Sequence, residues 1–158
     1  MMIKNFIDSF KDRIFLRSVA SAFVFLFISL IINFYAGKSA TSDASNHVSD
    51  VFLSNVPVFD IDGTFVYGAY VLIGCIFLVA FAHSRRIPFI VKSIALFYVI
   101  RSMFVILTHI APYPSHVIID PLSVFSRFFA FSGALFFSGH VGLPFLLALV
   151  FWDNRVLR

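Results

Sequence analysis

Tyr98-Val99-Ile100-Arg101-Ser102-Met103-Phe104-Val105 decides the fold class, because a guanidinium stands in the middle of an apolar run, residues 89–110, opened by Pro88. Twenty or so apolar residues are the length of helix that crosses a bilayer. By helix rise, Arg101 lies ~14 Å from the far end of the run. A charge at that depth costs at least ~2.5 kcal/mol unless it meets a partner or a polar cavity. Thr108 falls two turns further on the same face, and Ser102 and His109 share a neighbouring one, so a polar stripe is expected to lead outward from Arg101. Two readings stay open for Arg101. It is a structural residue, snorkelling or paired with a carboxylate, or it is a phosphate clamp, for which a planar and permanently charged fork is suited.

The rest of the chain has the same character. Of 158 residues 60% are hydrophobic and 13% charged, 23 are Phe, and the mean hydropathy is +0.96. No polar stretch is long enough to hold a soluble domain, so an all-α membrane protein is expected. The single cysteine, Cys75, excludes a disulfide framework. The formal charge of +4 reads as topology and not as a nucleic-acid surface, since basic residues gather at helix ends and form no stripe with aromatics.

Four transmembrane helices are expected, at about 18–35, 65–81, 89–110 and 138–152. A basic amphipathic lead, residues 1–17, lies on the bilayer surface before them. Residues 36–40 are small and polar enough to fit a signal cleavage site, although the apolar run is long for one. Residues 37–52 are rich in Ser, Asp and Asn and read as a mobile, solvated loop. The basic residues Lys4, Lys11, Arg13, Arg17, Arg85, Arg86, Lys92, Arg155 and Arg158 fall on one side, with only Lys38 and Arg127 in the opposite loops. The positive-inside rule therefore puts the amino terminus in the cytoplasm and His109, His116 and Ser138-Gly139-His140 at the extracytoplasmic face.

Ser138-Gly139-His140 follows Phe136-Phe137 at the mouth of the fourth apolar run. Gly139 lets a phosphate approach the backbone, and the N–H groups of a helix start favour an anion. His140 adds a group that exchanges protons near neutral pH. A helix cap formed by chance remains the plain alternative for the triplet.

Arg101 within its run, Ala111-Pro112-Tyr113-Pro114 after it and Phe137-Ser138-Gly139-His140 at the next helix start together resemble the sphingomyelin synthase branch of the type-2 phosphatidic acid phosphatase superfamily. The resemblance covers about residues 56–158. It implies a six-helix bundle of which four helices are present, an exoplasmic active site, no cofactor and no metal. The substrate it implies is a membrane phospholipid or sphingolipid. On the matching positions, His140 would assist the leaving group, Ser138 and Gly139 would line the phosphate site, and Arg101 would contact phosphate. The family's nucleophile, a His with an Asp four residues later, lies on a helix after the Ser-Gly-His one. No such helix precedes Arg158, so a C-terminally truncated chain is expected, its site incomplete.

A His orients and shares its charge best with a carboxylate beside it. His116 and Asp120 have that spacing but precede the triplet, so they remain candidates with His109 and Arg127 and are not assigned as the pair. Asp60-Ile61-Asp62-Gly63-Thr64 matches the first motif of haloacid-dehalogenase-type phosphatases, but the parallel-sheet domain that motif needs has no room here. The Asp residues read better as caps of the second span. The expected function is a histidine-based lipid phosphotransferase or phosphatase, with hydrolysis and head-group transfer both open. The alternatives are a non-catalytic multi-pass protein and a small anion transporter subunit using Arg101.

Overall fold

The computed structural model describes residues 9–43, 55, 62–108 and 138–152, and for 62–66 and 140 it describes the backbone alone. The described residues form four α-helices with no strand among them: α1 (Arg13–Ser42), α2 (Asp62–Ala82), α3 (Ile87–Leu107) and α4 (Gly139–Val150). The turn Ser84–Arg86, a single 3-10 turn, leads from α2 into α3.

Helix α1 starts where Asp12, in extended conformation, accepts a bond from the Ile14 N–H at 2.9 Å, satisfying one of the unpaired donors of the first turn. It runs 30 residues, about 45 Å by helix rise, well beyond the hydrocarbon thickness of a bilayer. It ends at Asp43, whose N–H returns to the Ser39 carbonyl at 2.9 Å. Both ends differ from the expected span of 18–35. Residues 13–17 are already helical, and 37–42 continue the helix where a loop was expected. The physical reason is packing. Ala36, Gly37 and Ala40 are buried, and Ala36 and Ala40 close on Val105 of α3. Thr41 and Ser42 turn their hydroxyls onto the carbonyls of Gly37 and Ser39, so the polar composition of this stretch is accommodated within the helix.

Helix α3 carries Pro88 in its first turn, where no N–H is needed, and ends at Leu107 with Thr108 as its cap residue. Contacts between α1 and α3 advance together. Ser9 meets Ser84 (Oγ to Oγ 3.2 Å), Asn33 meets Arg101, and Ala36 and Ala40 meet Val105, so the two helices run parallel. The α1 side of this seam is Ala22, Ser29, Asn33, Ala36, Gly37 and Ala40, small residues with one amide, which let the backbones approach closely. The α3 side places Ile90, Ala95, Phe97, Arg101, Ser102 and Val105 at near-helical spacing.

Helix α4 packs on α3 in the opposite direction. Phe151, just past its C-terminus and 2% exposed, lies 5.4 Å from the His83 ring, and the Arg86 guanidinium stands 5.6 Å over it. Gly139 is therefore at the end of the assembly shared by Ser42 and Leu107. Lys11, Arg13, Arg17, Arg85, Arg86 and Lys92 gather at the other end. Pro144 inside α4 removes the N–H that would bond the carbonyl of residue 140, a device that bends or loosens a helix start.

Two helical segments, Arg13–Ser42 and Ser84–Leu107, are long and apolar enough to cross a membrane. Only 11% of the most apolar stretch of the first is buried, and large residues such as Phe23, Phe25, Phe27 and Ile28 point outward. Such a distribution is the reverse of a soluble core helix. The segments Tyr67–Ala82 and Val141–Val150 are apolar but shorter.

Candidate active site

Arg101 is placed by α3 on the face that meets α1, 7% exposed, with Nη1 donating to Oδ1 of Asn33. Asn33 is 2% exposed, and its position on α1 follows from the small-residue seam that brings the two backbones together. A hydrogen bond to a charged donor is worth more than a neutral one, and an apolar surround strengthens it further. The partner in view is thus a neutral amide on another helix, where the sequence suggested a carboxylate or a water-facing position.

The polar stripe expected above Arg101 is largely closed on its own helix. Ser102, 1% exposed, donates to the Tyr98 carbonyl at 2.6 Å, and Thr108 donates to the Phe104 carbonyl at 2.8 Å. Both are back-bonds one turn down the helix, which satisfy a hydroxyl without offering it to a ligand. Of the stripe's described residues, Arg101 is the one whose side chain reaches across to a neighbouring helix. It lies seven residues before Thr108, about 10 Å from the end of α3 by helix rise.

Ser138 and Gly139 open α4 at that same end. Ser138 is exposed and extended (φ −67°, ψ 120°), makes no side-chain cap bond, and accepts the Gly142 N–H on its carbonyl at 2.9 Å. Gly139 has no positive φ, and no described atom lies within 4 Å of the place where a Cβ would stand. Among the described residues neither backbone strain nor tight packing accounts for a glycine here. The space beside it is what a backbone-bound anion would use. The backbone of His140 continues the first turn of α4.

The remaining candidates, His109, His116, Asp120 and Arg127, lie outside the described residues, as do Asp60 and the Pro-rich turn 111–116. Asp62 is the first residue of α2, which agrees with a place at that helix start. Among the described residues no group of three or more His, Cys, Asp or Glu is arranged to hold a metal ion. Cys75 is exposed on α2.

Sequence reasoning passed over Asn33. The signal was there: an amide between Ile32 and Phe34 in an apolar span is as costly without a partner as any other buried polar group. Ser29, 1% exposed one turn earlier, satisfies itself on the Leu26 carbonyl at 2.7 Å, whereas Asn33 makes its polar contact across to α3. No family model matches this chain, and no curated protein or solved structure matches it significantly.

Proposed function

We propose that the chain is a multi-pass membrane protein whose extracytoplasmic end holds a lipid phosphate, and that it serves a phosphotransferase or phosphatase acting on a phospholipid or sphingolipid head group. The observation that carries this reading is the pairing of two features at one end of an apolar helical assembly. Arg101 on α3 lies about two turns below that end, bonded to Asn33, and Ser138 and Gly139 start α4 at the same end. Both are anion-binding devices, and the resemblance to the sphingomyelin synthase branch gives them a common ligand.

In this mechanism Arg101 and the N–H groups at Ser138 and Gly139 bind the phosphate oxygens and stabilise the charge that builds on them. A histidine nucleophile, which the family carries on a helix after the Ser-Gly-His one, attacks phosphorus through a ring nitrogen. The bond from phosphorus to the lipid oxygen breaks, and His140 gives its proton to the departing alkoxide. Water or the hydroxyl of a second lipid then attacks the phosphohistidine, His140 takes the proton back, and the nucleophile is freed. The test is conversion of head-group-labelled phospholipid by the full coding-sequence product in vesicles, with His140→Ala and Arg101→Lys beside it. Turnover that depends on both residues supports the reading.

A second reading has its own observation. The hydrogen bond from Arg101 to Asn33 lies on the α1–α3 seam, where polar contacts fasten membrane helices together. On that reading the protein is non-catalytic. Arg101→Lys then alters stability, and no lipid conversion is seen in any variant.

A further inference from the structure

At the end of the assembly opposite Ser138, the start of α1 and the start of α3 part to leave a cleft of about 540 Å³, within the size range of small-molecule sites. Its walls differ in kind. Arg85 and Lys92, seven positions apart and so on one face of the turn and helix that follow, supply two cations, with the Ser18 hydroxyl region opposite. Ile14, Phe15 and Phe89 supply an apolar wall, and Ile14 and Phe89 are 78% and 58% exposed. Asp12 also borders the cleft, but its carboxylate accepts the Ile14 N–H as the cap of α1. Ser9, which also lines the cleft, shares a buried hydrogen bond with Ser84 that ties the two helix starts together at 3.2 Å.

We infer that this cleft binds the head group of an anionic phospholipid from the leaflet on the basic side, with the phosphate on Arg85 and Lys92 and the upper acyl chain along Phe15 and Phe89. Continuity of the apolar surface favours a lipid over a free anion. The apolar wall runs into the outward faces of α1 and α3, where Phe23, Phe27 and Leu96 are exposed. A soluble phosphate would leave that wall wet. A cationic pocket between membrane helices on the cytoplasmic side is the arrangement that retains such head groups. The inference rests on α1 and α3 crossing the bilayer and is independent of any lipid chemistry at the Ser138 end.

The test uses Trp152, the chain's single tryptophan, which follows Phe151 at this same end. The purified full chain is placed in phosphatidylcholine vesicles containing pyrene-labelled phosphatidylglycerol or pyrene-labelled phosphatidylcholine, and energy transfer from Trp152 is titrated. The expected result is about a tenfold preference for the anionic probe, lost in R85Q/K92Q and retained in R13Q/R17Q, whose charges lie outside the cleft. Circular dichroism confirms that both double variants keep their helices. Equal transfer from the two probes overturns the inference, as does an equal loss in both double variants, which would mean diffuse attraction to the whole basic end. Displacement of the anionic probe by millimolar inorganic phosphate at constant ionic strength would assign the cleft to a free anion, and would also overturn it.

Discussion

Arg101 of α3 donates to the amide oxygen of Asn33 on α1, across a seam otherwise built of small and apolar side chains. A permanent charge and a neutral amide thus define where two parallel helices lock. Around this contact the structure arranges the remaining features, with the opening of α4 above it and a basic cleft at the far end.

Breaking that contact has a measurable effect. Asn33→Leu removes the acceptor and leaves the guanidinium against an apolar residue, so the assembly is expected to lose about 2 kcal/mol of stability. In an Arg101→Leu background the same change should cost far less. A double-mutant cycle on unfolding in mixed micelles isolates the interaction, and a coupling near zero would show that the bond contributes nothing.

The seam itself is intolerant of volume. Ala36 and Ala40 are 2% and 0% exposed and close on Val105, so Ala40→Leu is expected to destabilise by about 1–3 kcal/mol. Phe27, 66% exposed on the outward side of α1, is the control, and Phe27→Leu should change stability by less than about 0.5 kcal/mol. Thermal unfolding of the two variants in the same detergent checks the contrast.

Gly139 separates a structural from a functional role. With no positive φ and no described atom within 4 Å of its Cβ position, Gly139→Ala should leave stability unchanged or raise it by up to about 1 kcal/mol. If a phosphate approaches that backbone, the same methyl group should lower lipid turnover at least about tenfold, since small misplacements in an oriented site are costly. Parallel measurement of melting and turnover decides between the roles.

The helix directions predict a labelling pattern. On the proposed multi-pass reading, parallel α1 and α3, with α4 reversed, would put positions 11, 92 and 152 on one side of a bilayer and 42, 108 and 138 on the other. In a Cys75→Ser background, single cysteines at the second set should react with an impermeant maleimide on intact cells. Those at the first set should react only after permeabilisation, given the positive-inside rule.

The helical, apolar character of the chain was legible because twenty-residue apolar runs have few other uses. The start of α4 was readable too, since Ser138 and Gly139 punctuate the run that follows. The extension of α1 through Ser42 was not. Gly37, Ser39, Thr41 and Ser42 have the composition of a loop, and only contact with Val105 and back-bonding of the hydroxyls make them helical. Arg101 announced itself as a charge needing a partner, but its partner is set by the pairing of α1 with α3, which local periodicity does not encode. Asn33 went unread for the same reason, as its meaning appears only when the helix opposite is known.

The measurement that bears most directly on the proposed function is turnover of head-group-labelled phospholipid by the full coding-sequence product in vesicles, wild type against His140→Ala. The expected result is release or transfer of the labelled group by the wild type, reduced at least about a hundredfold in the variant through loss of a general acid. No turnover by the wild type, or equal turnover by both, would contradict it and leave the Arg101 and Asn33 contact as a fastener between membrane helices.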